Sequence, residues 1–171
     1  MSFQRIAEFV KWVFGERATM FERYTENARR TIFFGRSEAI ERGSAFIESD
    51  HILLALLRDA WLNGNLLNDI SVAELRDEFP VLKGEESSAA PDVPLSNESK
   101  RVLSYAAEEA DVLLDPHIGN EHLLLGLLRE KSCSAARMLT QRGLGLESLR
   151  SRIKGIPRET RKANSGEQSA R

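Results

Sequence analysis

Asp50-His51-Ile52-Leu53-Leu54-Ala55-Leu56-Leu57-Arg58 and Glu121-His122-Leu123-Leu124-Leu125-Gly126-Leu127-Leu128-Arg129 stand 71 residues apart and share six of nine residues. Each sets an acid and a histidine before a run that is apolar nearly all round. Such a run has no polar face to offer water, which predicts a buried helix. The same offset lays all of segment 25–59 on segment 96–130 without a gap, and ten of the 35 positions are identical. Arg30 meets Arg101, Glu38-Ala39 meets Glu109-Ala110, and Ile47 meets Ile118. Agreement this long at one fixed spacing marks a duplicated unit.

Outward from the two apolar runs, each copy reads as four helices. Thr25 is placed to cap the first and Gly43 to stop it, with Ala28, Thr31, Ile32 and Ala39 at helical spacing. Ser49 is expected to cap the second helix. A short third piece falls near Leu66-Leu67. The fourth opens on Ser71-Val72-Ala73-Glu74, a capping-box pattern, and runs to about Phe79. In the second copy Ser96 and Asn120 take the capping places, a helix spans about Ser134 to Gln141 before a stop at Gly143, and the last runs from about Glu147 to Ile153. No segment alternates with period two, so a sheet is not expected. The fold class is all-α: two tandem four-helix repeats packed as one pseudo-twofold domain, because each copy alone offers a thin core. The repeats cover 20–82 and 95–156. A linker, 83–94, carries Gly84, Ser87, Ser88, Pro91 and Pro94. Residues 157–171 form a polar tail expected to be disordered.

The chain has 171 residues and a net charge of −2, which gives no bulk attraction to nucleic acid or to an anionic membrane. Cys133 is the single cysteine, so no intrachain disulfide can form. The apolar runs are too short to cross a bilayer. Arg5, Glu8 and Lys11 interrupt any signal-peptide core, and the expected compartment is the cytoplasm. Within 1–19, Phe3, Ile6, Phe9, Val10, Val13 and Phe14 fall at helical spacing. A helix packed on the domain, a partner-docking helix, a weak membrane-surface anchor and a start codon placed too early are all open readings.

Met20-Phe21-Glu22-Arg23-Tyr24-Thr25-Glu26-Asn27-Ala28-Arg29-Arg30 and the duplicated block that ends on the apolar runs resemble the Clp amino-terminal domain, most closely its ClpC branch. The resemblance covers about residues 20–156. It implies a domain that stands in front of AAA+ unfoldase modules and captures substrate and adaptor proteins for a proteolytic machine. The chain ends where those modules would begin, and no Gly-x-x-x-x-Gly-Lys-[Ser/Thr] occurs in it. The expectation is therefore a binding module without cofactor, metal or ATP hydrolysis. Its expected partners are Clp unfoldase or protease components, adaptors or substrates, and no specific nucleic acid.

The resemblance also implies recognition of phosphorylated arginine in each repeat, by a hydroxyl at the start of the first helix and by the acid of the Glu-His pair. By position these are Thr25 with Asp50, and Ser96 with Glu121, Gly119 leaving the second approach open. Free N–H groups at a helix start favour a phosphate, and a carboxylate takes a guanidinium. Glu48 stands in the first copy where the second has Gly119, and it puts negative charge beside a phosphate. The same side chains are also ordinary helix caps and first-turn acids. His51 and His122 invite a catalytic or metal reading, but no zinc spacing supports it and symmetric duplication favours a packing or capping role. A hydrolase built on a His/acid pair is the alternative from another class. A nucleic-acid protein using Arg150, Arg152, Lys154, Arg158, Arg161 and Lys162 is a third, weakened by the lack of interleaved aromatics.

Overall fold

The computed structural model describes residues 22–79 and 93–164, with side chains to residue 161. In chain order its helices are α1 (Glu26–Glu41), α2 (Ser49–Leu56), α3 (Ala60–Asn65), α4 (Val72–Asp77), α5 (Asn97–Val112), α6 (Asn120–Arg129), α7 (Ser134–Gln141), α8 (Leu146–Gly155) and α9 (Arg158–Asn164). The fold is all-helical, and among the described residues no strand is longer than an isolated bridge. No described helix is long and apolar enough to cross a membrane. The reading of 1–19 lies outside the described residues, as do most of the linker and the last seven residues.

Local chemistry sets the helix starts. The Thr25 hydroxyl accepts from the Ala28 N–H at 3.2 Å and the Ser96 hydroxyl from the Ser99 N–H at 3.0 Å, so both first-helix caps are as expected. Ser71 does the same for α4. The caps of α2 and α6 differ from expectation by one residue: they are Glu48 and Gly119, and Ser49 and Asn120 are already helical. The reason is the histidine three places on, whose Nδ1 accepts the cap residue's N–H at 2.9 Å in both copies. The third helix of copy one also starts earlier than read. Asp59 accepts from the Trp61 and Leu62 N–H groups and opens α3, and Leu66 and Leu67 follow its end as buried core residues.

The two copies cross. The strand-like residues before α1 bridge to those before α6, and the residues before α5 bridge to those before α2. Thr25 N–H donates to Ile118 O at 3.0 Å and Ile118 N–H to Arg23 O at 2.8 Å. Across the pseudo-twofold, Ser96 N–H donates to Ile47 O at 3.1 Å and Ile47 N–H to Pro94 O at 2.7 Å. Pro94, read as linker, is thus part of the fold, and Val93 beside it is buried. Ile32, Ile47, Leu53, Leu56, Leu103, Ile118, Leu124 and Leu127 belong to one continuous core fed by both repeats. Each such side chain contributes roughly 1.5–3 kcal/mol by leaving water.

One ion pair, present in both copies as Glu38–Arg58 and Glu109–Arg129, holds the helices in register, and each acid has a further arginine. Glu38 is almost fully buried and accepts from Arg58 at 2.6 Å and Arg42 at 2.5 Å. Its repeat partner Glu109 is buried and accepts from Arg129 at 3.1 Å and Arg150 at 2.6 Å. Burial alone would raise the Glu109 carboxyl, but the hydrogen bonds and charges of Arg150 and Arg129 outweigh it and hold it below its ordinary value. Arg58 also lies over the Phe34 ring, and Arg129 over Tyr105.

Within the segment expected to be a disordered tail, residues 158–164 form α9, and residues 165–171 lie outside the described residues. Arg158 donates to the carbonyls of Leu113 and Leu114 at the end of α5, and Arg158 and Arg161 both pair with Asp115. Basic residues near a helix C-terminus satisfy its last carbonyls. Leu114 itself has φ 58°, the left-handed turn that Gly43 makes at the same place in copy one. A glycine there carries no Cβ cost, whereas leucine stores about 1–2 kcal/mol.

Gly126 marks the closest helix approach. A Cβ on it would overlap the Val102 carbonyl oxygen and stand 3.0 Å from the Ala106 nitrogen on α5. These are backbone atoms and cannot turn aside. In copy one the glycine is on the other helix, Gly35, where a Cβ would meet the His51 carbonyl at an ordinary 3.4 Å. Gly126→Ala is expected to destabilise by about 1–3 kcal/mol through overpacking, and Gly35→Ala to leave stability near wild type. Thermal melts of the two variants check this pair.

Candidate functional site

The crossing decides which candidate residues meet. Expectation paired Thr25 with Asp50 and Ser96 with Glu121, each within its own repeat. The backbone bonds from Thr25 to Ile118 instead set the start of α1 beside the start of α6. Thr25 therefore faces the Gly119–Glu121 turn, and Ser96 faces the Glu48–Asp50 turn. These backbone bonds join each first-helix start to the turn before the second helix of the other repeat.

The two crossed corners are not equivalent. At the first, the Glu121 carboxylate folds back over Gly119 and occupies the space that any side chain at 119 would need. It is 12% exposed, with Oε1 3.8 Å from His122 Nδ1. The corner thus offers a helix start capped by a hydroxyl and a nearly buried carboxylate that rests against a glycine. A helix start favours an anion, and a carboxylate favours a cation, so the corner suits a group carrying both.

At the second corner Glu48 fills the glycine's place. Burial pushes its carboxyl above the ordinary range, opposed by a hydrogen bond with Ser96 and reinforced by the nearby Glu98 and Asp50 charges. Asp50 is itself engaged, accepting from the Ser134 hydroxyl at the start of α7. Both the hydroxyl and the acid of this corner are spent on partners within the chain.

His51 and His122 are 6% and 1% exposed. Each gives its Nδ1 to the backbone, and His122 Nε2 lies 3.2 Å from Asp115 Oδ2. Burial lowers the His51 pKa, with Asp50 acting the other way. Rings so placed fix helix starts. Cys133 is buried, accepts from Ala136 N–H as the α7 cap, and has its thiol pushed up by burial, which leaves little thiolate. Among the described residues no cluster of three or more His, Cys, Asp or Glu could hold a metal ion. Arg150 and Arg152 of the basic stretch are paired with Glu109 and Asp69. With Arg158 and Arg161 on Asp115, four of its six cations are committed within the chain.

The sequence reading assigned no role to Glu38, Arg58, Glu109 and Arg129. Their signal was present: all four are identical between the copies, and an acid matched with a base at the same offset is an ion-pair pattern.

Comparison with known proteins follows the same lines. The model of the Clp repeat (R) N-terminal domain matches residues 23–142 and 94–169. A ClpA homolog, the ATP-dependent Clp protease ATP-binding subunit of Cyanidium caldarium, is 35% identical over 159 residues. That alignment covers 91% of this chain and 19% of the relative. The chloroplastic chaperone protein ClpC1 of Oryza sativa subsp. japonica is 36% identical over 138 residues, 78% of this chain and 15% of the relative. The chain thus spans under a fifth of the length of these relatives. Among solved structures, the N-terminal domain of the chaperone ClpD from Arabidopsis thaliana superposes with a TM-score of 0.61 at 30% identity, covering 77% of this chain and 95% of that one. The Hsp104 N-terminal domain of Candida albicans, at 16% identity and a TM-score of 0.62, shares the fold.

Proposed function

Because the chain belongs to the Clp repeat (R) N-terminal domain family, we propose that it is a docking module of a Clp-type proteolytic system, acting as adaptor, substrate receptor or competitor. We further propose that it recognises phosphoarginine-marked proteins at the corner of Thr25, Gly119 and Glu121. One observation supports the reading: the crossed repeats set a hydroxyl-capped helix start beside a nearly buried carboxylate that rests against Gly119. The phosphate of the ligand would meet the N–H groups at the start of α1, and its guanidinium the Glu121 carboxylate. The corner of Ser96, Glu48 and Asp50 is proposed as silent, since the Glu48 carboxyl is hydrogen-bonded with Ser96 and Asp50 is bonded to Ser134. The hydrolase alternative has no observation in its favour, because both histidines are buried helix caps. Against the nucleic-acid alternative, Arg150, Arg152, Arg158 and Arg161 of the basic stretch are already paired within the chain.

Calorimetric titration of a phosphoarginine peptide into the 171-residue chain, beside the same peptide with plain arginine, tests the ligand. Binding of the phosphorylated form alone supports it. Co-purification of the chain with Clp unfoldase or protease components tests the docking role. No phosphoarginine binding with Clp components recovered removes the ligand and keeps the module; neither result removes both.

A further inference from the structure

We propose that the cleft between α1 and the α2–α3 corner is a docking site for an acidic peptide segment, whose side-chain carboxylate pairs with Arg30. The cleft holds about 230 Å³ and is lined by Arg30, Phe34, Arg58, Asp59 and Asn120 among others. Internal symmetry shows what belongs there. The residues 71 places on are Arg101, Tyr105, Arg129, Glu130 and, across the twofold, Ser49. In that half Arg101 Nε donates to the Glu130 carboxylate at 2.6 Å, and Ser132 braces the same carboxylate. The chain itself thus supplies the acid at the second position.

In the first half the corresponding acid is Asp59, one methylene shorter and turned to other work. Its Oδ1 accepts the Trp61 and Leu62 N–H groups at the start of α3, and its Oδ2 accepts from Asn120 Nδ2 at 2.7 Å. Arg30 is left exposed, and among the described residues no carboxylate pairs with it. Arg58 is paired with Glu38, a carboxylate it shares with Arg42 and Arg76, and lies over the Phe34 ring. Arg30 is thus the cation of the cleft that no carboxylate among the described residues meets.

A second observation selects a peptide over a free anion. Asn120 is 4% exposed, and its Oδ1 is buried without a hydrogen-bond partner. A buried acceptor left unmade is costly, so the site calls for an N–H donor as well as an anion. Inorganic phosphate brings no N–H. An acidic peptide brings both, a carboxylate for Arg30 and a backbone amide for Asn120. The inference rests on the docking-module reading but not on phosphoarginine, since Arg30 and Asn120 act here without Thr25 or Glu121.

The test is titration of the blocked peptide acetyl-Gly-Glu-Leu-Glu-Gly-amide into the whole chain, followed by amide chemical shifts. Shifts are expected at Asn27, Arg30, Phe34, Arg58 and Asn120. Arg30→Gln, an exposed change that leaves the melt intact, is expected to weaken binding about tenfold by removing a charge-assisted bond. Arg101→Gln and Glu121→Ala are expected to bind the peptide as wild type does, which separates this cleft from the phosphoarginine corner. Equal binding of the Gln-for-Glu peptide, shifts confined to other faces, or unchanged affinity in Arg30→Gln each overturn the proposal.

Discussion

Leu124→Asp is expected to abolish the folded state of the whole domain, and Leu53→Asp to do the same. Both leucines are fully buried, in α6 and α2 at matching repeat positions. A carboxylate there has no cation within the core to meet it. Burying an unpaired charge costs several kcal/mol or more, against a total stability of about 5–15 kcal/mol. The crossed bridges and the continuous core make the two repeats one cooperative unit, so damage in either removes the helices of both. Circular dichroism should show near-complete loss of helix for each variant at room temperature. Retention of half the signal would mean that the repeats fold separately, and a wild-type melt in either variant would contradict the burial of that helix.

Glu121→Ala is expected to weaken phosphoarginine binding much more than Asp50→Ala. Glu121 stands at the Thr25 corner, where Gly119 adds no second carboxylate, while Asp50 is already bonded to Ser134 behind the Glu48 charge. Loss of a charge-assisted bond costs about 1.5–3 kcal/mol, roughly ten- to a hundredfold in affinity. The crossing adds a discriminating variant. Thr25→Ala should share the loss seen for Glu121→Ala, and Ser96→Ala should not, although Ser96 is the hydroxyl of Glu121's own repeat. Each variant should remain folded, because a cap or first-turn acid contributes only about 1 kcal/mol. Calorimetry on the four variants decides it. Parallel losses in Glu121→Ala and Ser96→Ala would put the binding within one repeat and overturn the crossed corner.

The sequence by itself determined the duplication, the all-helical class and most helix starts. Those features are written in local terms: an apolar run at fixed spacing, a hydroxyl three residues before a free N–H, a glycine at a left-handed turn. It also marked His51 and His122 as structural, since duplication of both with their surroundings signals a shared packing role. It misplaced the α2 and α6 caps because a histidine accepting the cap N–H is not part of the usual Ser/Thr/Asp signature. It missed α9 because six polar residues and one alanine show no apolar face, and Arg158 and Arg161 find their partners only when Asp115 and the end of α5 are brought beside them. Only the tertiary structure decided which hydroxyl meets which acid. Thr25 lies 96 residues before Glu121 in the chain, and no local rule joins them. The bridges from Thr25 to Ile118 and from Ser96 to Ile47 join them, since the backbone N–H and carbonyl groups at each helix entry need partners and find them only in the other repeat.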